Sequence, residues 1–282
     1  MKQCPRCRTS LPEQAKFCIN CGAPQAASAV KAPEFQLDFD KDLSEQLSAL
    51  FFTELRKRVE EENQAARFQE YSERAYTSGF RDTIQRRAVL LESQIHTLYS
   101  NLEHTDADLD RHIRFFCEEL LDQFIIQHCK DLNAVDLPEA MLQHQKQIWS
   151  PGDLFQISMD YLDFQNEQET VYTDFLAMPI DKLRNAAKAF LFSERTDERI
   201  FFICDLSLLG NCKEGFALTE KALYWKSPLE KARRAALDQL YDLRRKENWI
   251  TINEFFFNAN PALNIKMLKL LKGIQLRFSQ DW

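Results

Sequence analysis

The chain has 282 residues, of which 45% are hydrophobic and 28% charged, values that are usual for globular proteins. No stretch approaches the roughly 18 to 20 apolar residues of a membrane span, and 6 glycines beside 22 phenylalanines argue against a turn-rich all-β or low-complexity chain. The net charge of −7 comprises +4 over residues 1–31, −16 over 32–180 and +5 over 181–282, which indicates three physically distinct regions.

The first 22 residues contain two Cys-x-x-Cys pairs, Cys4 with Cys7 and Cys18 with Cys21. Each pair lets a tight turn present two thiolates to one cation, and two pairs complete the tetrahedron that Zn²⁺ favours. Four thiolates leave no open coordination position, so the spacing predicts one structural zinc rather than a catalytic one. About twenty residues bury too little surface to fold alone, and zinc binding of order 10–16 kcal/mol would supply the missing stability.

The competing interpretations of these cysteines are a redox dithiol and a chance pairing. A thioredoxin-type Cys-x-x-Cys belongs to a βαβ unit, and the sequence predicts no such unit here. Cys-Pro-x-Cys followed by Phe-Cys-x-x-Cys-Gly resembles the short zinc-ribbon domains at the amino termini of many bacterial proteins. The resemblance covers residues 1–22 and implies a fold and a metal, but no function.

The opening residues also lack the apolar stretch of a secretory signal, which predicts a cytoplasmic protein whose thiols stay reduced. Zinc and four thiolates would lower the ribbon's charge of +4 to about +2, a weak attraction for phosphate. Protein binding is therefore the favoured role of the ribbon, and association with nucleic acid is the alternative.

Residues 23–42 lack periodicity and contain Ala, Pro and Ser, which predicts a flexible linker. Residues 43–178 form the predicted helical region. Apolar residues recur there at helical spacing, in one stretch that begins at Leu43 and in others that contain Ile84 and Leu109. Because each helix must bury its apolar side, an antiparallel bundle of three to five helices is expected.

Within this region, Asp160, Asp163 and Glu167 have the spacing i, i+3, i+7, which would place three carboxylates on one helix face. One hypothesis is a divalent cation site in a metal-dependent hydrolase. The favoured interpretation is a solvated acidic face in a strongly acidic segment. The histidines lack ligand-type spacing, and the other four cysteines are expected to be buried residues. A non-enzymatic protein is predicted.

Residues 179–282 form the predicted carboxy-terminal domain. A short helix begins at Pro179, a strand follows over 200–206, and 215–226 reads as a hairpin with Glu220 and Lys221 near its turn. Residues 249–257 are predicted to form a further strand. Asn260 and Pro261 have the N-cap pattern of a final helix, which is expected to end near Gly273.

Short strands closed by one amphipathic helix are the outline of a pleckstrin-homology-like barrel. The segment Leu209–Trp225, with its Gly-Phe-Ala-Leu-Thr-Glu-Lys-x-Leu-Tyr-Trp sequence, resembles the bacterial PH-like domains. The resemblance spans roughly residues 180–276 and implies a non-enzymatic binding module used chiefly for protein contacts. The predicted fold class is multidomain α+β: a small zinc ribbon with four cysteine ligands, a central helical bundle and a β-rich PH-like domain with a capping helix.

Lys266, Lys269 and Lys272 recur every three residues on the final helix. An ordinary solvated helix face is the favoured interpretation. The alternative is an anionic-ligand or membrane-surface patch formed with nearby arginines, which at roughly 1 kcal/mol per basic residue would permit weak attachment. Altogether, the sequence predicts a cytoplasmic adaptor or regulatory protein that binds other proteins through its zinc ribbon and its PH-like domain.

Overall fold

The computed structural model of the protein describes residues 2–3, 9–11, 35–62, 64–100, 106–145, 149–191 and 198–278. The chain divides into two compact units, residues 1–36 and residues 37–282. It is a mixed helix and sheet protein, with a helical region first and antiparallel sheets towards the carboxy terminus, as the predicted α+β class requires. In the ranges given above, every helix is too short or too polar to cross a membrane.

The first unit contains a small antiparallel pair of strands, β1 (Lys2–Gln3) and β2 (Ser10–Leu11). Lys2 lies opposite Leu11, and Gln3 lies opposite Ser10. The predicted zinc ligands lie outside the described residues, as does most of the predicted linker; these ligands are Cys4, Cys7, Cys18 and Cys21.

The second unit begins with a group of packed helices. Asp42 caps the first of them, because its side chain accepts a hydrogen bond from the backbone N–H of Glu45 at 2.9 Å. The core of this group contains Phe51, Phe80 and Phe124, whose ring centroids lie 5.1 to 6.1 Å apart. The helices of this group are α1 (Leu43–Glu61), α2 (Phe68–Thr77), α3 (Phe80–Ser100), α4 (Asp106–His128) and α5 (Leu154–Leu162). A further helix, α6 (Ile180–Ala189), instead packs its buried Ala186 with Ile203 and Ala217 of the larger sheet described next.

Two antiparallel sheets follow, one with strand order β3-β4-β5-β6-β7 and one with order β10-β9-β8. Aromatic rings fill the space between them: Phe216 makes edge contacts with Phe202 and Phe257, with centroids 5.9 and 5.5 Å away. The strands are β3 (Thr170–Tyr172), β4 (Ile200–Asp205), β5 (Gly215–Thr219), β6 (Ala222–Lys226), β7 (Arg233–Ala236), β8 (Leu243–Lys246), β9 (Trp249–Ile252) and β10 (Phe255–Phe257).

The predicted hairpin over 215–226 is confirmed as β5 and β6, with Leu218 opposite Leu223. Its turn contains Glu220 and Lys221, neither of which favours the positive φ of the tightest hairpin turns. The buried hydroxyl of Thr219 compensates, because it accepts hydrogen bonds from the backbone N–H groups of Lys221 (3.2 Å) and Ala222 (2.9 Å). The side chain of Thr219 thus stabilises a turn that lacks residues favouring positive φ.

The predicted single strand over 249–257 is wrong: this segment is a second hairpin, formed by β9 and β10. Asn253 and Glu254 form its two-residue turn, with φ values of 49° and 72°. A turn with positive φ at both central residues matches the twist of the flanking strands, and Asn tolerates that conformation. Asn253 and Glu254 are the two adjacent polar residues of this otherwise largely apolar segment, and this interruption was the available sign of the turn.

The final helix, α7 (Pro261–Phe278), packs against α5 and against β8 and β9. Its predicted N-cap is confirmed, since Asn260 Oδ1 accepts a hydrogen bond from the backbone N–H of Leu263 at 2.7 Å. The predicted end at Gly273 is wrong, because the helix continues past that residue. Gly273 instead lies against the indole of Trp149, where a Cβ atom would come within 2.6 Å of Cη2.

Candidate functional site

The expected solvated lysine face of α7 is wrong for two of its three lysines. Lys266 and Lys269 are only 3% and 5% exposed. Lys269 Nζ lies 2.6 Å from Asp122 Oδ1 and 3.0 Å from Glu118 Oε2, and both carboxylates also bind Arg58 of α1. These cations are therefore neutralised inside the protein and do not form a surface patch.

This cluster of Arg58, Glu118, Asp122 and Lys269 joins α1, α4 and α7 through buried charges. Burial alone would raise the pKa of Glu118, but the charges of Arg58 and Lys269 hold that pKa well below its usual value of 4.5. Glu118 is thus ionised near neutral pH, and the cluster places two basic side chains against two carboxylates, an arrangement in which buried charges are tolerated.

The three carboxylates considered for a hydrolase are not brought together on one helix face. Helix α5 ends at Leu162, and Asp163 has a left-handed backbone conformation with φ 48°. Asp160 contacts His144 Nε2 at 2.7 Å, whereas Asp163 and Glu167 turn towards Lys266. Across the described ranges, no three His, Cys, Asp or Glu side chains are arranged to hold a metal ion.

A cleft of about 750 Å³ lies between residues 134–138, residues 163–169 and the start of α7. Asn260 Nδ2 donates to Glu167 Oε2 (2.9 Å) and to Glu169 Oε1 (2.8 Å), which draws these two carboxylates together. Glu169 Oε2 is buried and has no hydrogen-bond partner in the part of the chain that the structure describes. The charged side chains that line the cleft are Asp136, Asp163, Glu167, Glu169 and Lys266, so acidic groups predominate.

The four cysteines outside the predicted zinc site are buried, as expected; they are Cys117, Cys129, Cys204 and Cys212. Burial raises the pKa of Cys129 to about 12, and burial together with a hydrogen bond to Asp205 raises that of Cys212 to about 12. These thiols are therefore protonated near neutral pH. A protonated, buried thiol is a poor nucleophile and a poor metal ligand.

Sequence reasoning missed a set of exposed leucines at one end of the larger sheet. Leu208 and Leu209, in the loop between β4 and β5, are 98% and 83% exposed. Leu229, in the turn between β6 and β7, is fully exposed and has a φ of 62°. The Ser-Pro-Leu-Glu sequence of that turn was the available signal, because proline favours the second position of a turn.

Comparison of the chain with protein-family models, with curated proteins and with solved structures gives no match.

Proposed function

We propose that this protein is a non-enzymatic adaptor or regulatory protein of the cytoplasm, in which a zinc ribbon (residues 1–22) and a PH-like domain (residues 179–282) bind other proteins. The observation that carries the proposal is the pairing of β1 with β2 on either side of the first cysteine pair. A hairpin of this kind is what a Cys-x-x-Cys turn needs in order to aim both thiolates at one ion.

The zinc ribbon is supported by its donor set and by that hairpin. Residues 3 and 10 are paired across the strands, and the six residues that link them in the sequence include Cys4 and Cys7. Cys4, Cys7, Cys18 and Cys21 would hold the ion, and zinc bound there would supply folding energy rather than chemistry.

The PH-like domain is supported by the order of its elements. Strands β4 to β7 form consecutive antiparallel neighbours, strands β8 to β10 form a second such set, and α7 then packs against β8 and β9. Short strands closed by one carboxy-terminal helix are the outline expected of a PH-like barrel. The long, largely buried α7 differs from the amphipathic helix predicted, because it is covered by the helical region as well.

The non-enzymatic role is supported by the state of the polar groups that chemistry would need. Asp163 and Glu167 are engaged by Lys266, Asp160 is engaged by His144, and the four described thiols are buried and neutral. A protein that binds partners through its surface does not need these groups for chemistry, and their ion pairs then serve to stabilise the fold.

The proposal is tested in two steps with the full chain. Metal analysis of protein purified without added zinc should find one zinc per chain, and Cys7→Ser with Cys21→Ser should abolish it, whereas Cys117→Ser should not. Proximity labelling in the native cell should then recover specific protein partners, and the Cys7→Ser, Cys21→Ser variant should lose those that bind the ribbon. A metal-free, folded ribbon or an absence of specific partners would refute the proposal.

Association with nucleic acid is the alternative, favoured by the five basic residues among residues 1–31. It predicts binding that weakens steeply as salt concentration rises. A gel-shift assay at low salt distinguishes the two functions: the adaptor proposal expects no shifted band, whereas the alternative expects one that disappears on replacing Arg6 and Arg8 with alanine.

A further inference from the structure

The exposed leucines lie together at one end of the five-stranded sheet. In an antiparallel meander, every second connection returns to the same end, so the β4–β5 loop and the β6–β7 turn are neighbours there. Neighbouring strands are about 4.8 Å apart, which places the two connections roughly 10 Å from each other. Leu208, Leu209 and Leu229 therefore lie in connections at the same end of the sheet, and all three are exposed there.

Both connections are held in fixed conformations. Asp205 accepts hydrogen bonds from the backbone N–H groups of Ser207 (2.9 Å) and Cys212 (3.2 Å). In the β6–β7 turn, the N–H of Glu230 donates to the carbonyl of Ser227 at 3.1 Å. The leucines are thus presented by ordered backbone, as a binding surface requires, and not by loose chain ends.

Leu229 makes the strongest case that this end has a partner. A positive φ is unfavourable for leucine, and glycine or asparagine would relieve it. The side chain is fully exposed, so it buries nothing within the protein that would offset this strain. A partner that buries this side chain would supply the apolar stabilisation that the monomer lacks at this position.

Charge and position indicate which molecule this is. Lys226 and Lys231 lie on either side of Leu229, and Glu230 lies next to it, so residues 226–231 carry a net charge of +1. The charged side chains that line the cleft of about 750 Å³ are four carboxylates and one lysine, and its other lining residues include Val135 and Leu137. A turn with an exposed leucine and a net positive charge is complementary in charge to a cleft with a net negative charge.

The β6–β7 turn and the cleft are also adjacent on the same unit. The backbone N–H of Asn258 donates to Ser227 Oγ at 3.2 Å, and Asn260, two residues later, binds Glu167 and Glu169 in the cleft. A projection beside a cleft complementary to it makes a self-complementary surface. Two copies related by a two-fold axis can then exchange these contacts reciprocally.

We propose that this protein forms a two-fold dimer in which the Leu229 turn of each copy enters the acidic cleft of the other. Leu208 and Leu209 are covered by the same interface, and Lys226 and Lys231 pair with the two cleft carboxylates of the other copy that Lys266 does not engage, Asp136 and Glu169. All residues of this proposed interface lie in the unit 37–282. Dimer formation therefore does not depend on zinc or on the proposed adaptor function.

Sedimentation velocity of the full chain over a range of concentrations tests the proposal. The unaltered protein should show a concentration-dependent dimer that weakens as salt is added. Leu229→Asn should raise the dimer dissociation constant about tenfold or more, because it removes the central apolar group. The same change should hold or raise the melting temperature of the monomer, since asparagine accepts the positive φ. Leu90→Asn, which alters a leucine exposed on α3, is the matched control and should leave the dimer unchanged.

A charge exchange tests the pairing of turn with cleft. Asp136→Lys and Lys231→Glu should each weaken the dimer, and the double variant should associate more tightly than either single variant. Three results would overturn the proposal: a monomer at every concentration, a dimer that Leu229→Asn leaves intact, or a double variant no tighter than the single ones. Binding of monomers to vesicles of anionic lipid that is lost in Leu229→Asn would assign the surface to a membrane instead.

Discussion

Gly273 illustrates how one residue fits two elements of this protein together. It lies in the middle of α7, where glycine costs about 1 kcal/mol relative to alanine. A Cβ atom there would lie 2.6 Å from Cη2 of Trp149, closer than two carbon atoms can approach. The glycine is therefore retained for contact with the indole, and its position inside a helix could not be distinguished from a helix end by sequence.

Gly273→Ala should lower the free energy of unfolding in spite of its better helix propensity. Overpacking costs about 1–3 kcal/mol and exceeds the gain of about 1 kcal/mol in propensity. Urea unfolding measures the difference. In a Trp149→Phe background the larger ring is gone, so the same alanine should become neutral or stabilising; an equal loss in both backgrounds would contradict the contact.

At the scale of elements, sequence patterns located the apolar side of α1, the β5–β6 hairpin and the N-cap of α7. Each of these depends on residues that are close in sequence. They did not locate the partners of Lys269, since Glu118 lies 151 residues away. A lysine every three residues reads as a solvated face when only local spacing is known. The cleft was missed for the same reason, because it joins three distant segments.

The turn of the β5–β6 hairpin depends on the Thr219 hydroxyl. Thr219→Val keeps the shape of the side chain but leaves two backbone N–H groups without their acceptor. We expect a loss of about 1–3 kcal/mol in the free energy of unfolding, measured by chemical denaturation. Thr219→Ser retains the hydroxyl and should lose clearly less; equal losses would show that the methyl group matters instead.

Helix α7 depends on the charge of Lys269. Lys269→Met keeps the length of the side chain but leaves Glu118 and Asp122 short of one buried cation, and should cost about 3–5 kcal/mol at pH 7. Lys41→Met, which removes the exposed pair with Asp38, is the control and should have little effect.

The cost of Lys269→Met should also depend on pH. Because the folded protein holds the pKa of Glu118 well below 4.5, its ionised form stabilises the fold above about pH 4.5. That stabilisation is lost as pH falls through the lowered pKa. The difference between the variant and the unaltered protein should therefore shrink as pH is lowered from 7 towards 3. A difference that stays constant would mean that the carboxylates do not sense Lys269.

At the scale of the whole molecule, the chain consists of the compact units 1–36 and 37–282. The second contains both the helical group and the two sheets. A chain that begins at residue 37 should therefore fold alone and melt in one cooperative transition at the temperature of the full chain. Circular dichroism on heating measures this. A chain that is unfolded, or that melts well below the full protein, would show that residues 1–36 contribute to the fold of the rest.

The buried lysines of α7 also affect how the protein is made. The carboxylates of Glu118 and Asp122 leave the ribosome about 150 residues before Lys269 does. Before α7 docks, Arg58 is the one cation of the cluster that faces these two carboxylates. Docking of α7 adds Lys269 to the cluster and covers β8 and β9. We therefore expect the helical group and the smaller sheet to reach their final packing together, in the step at which α7 docks.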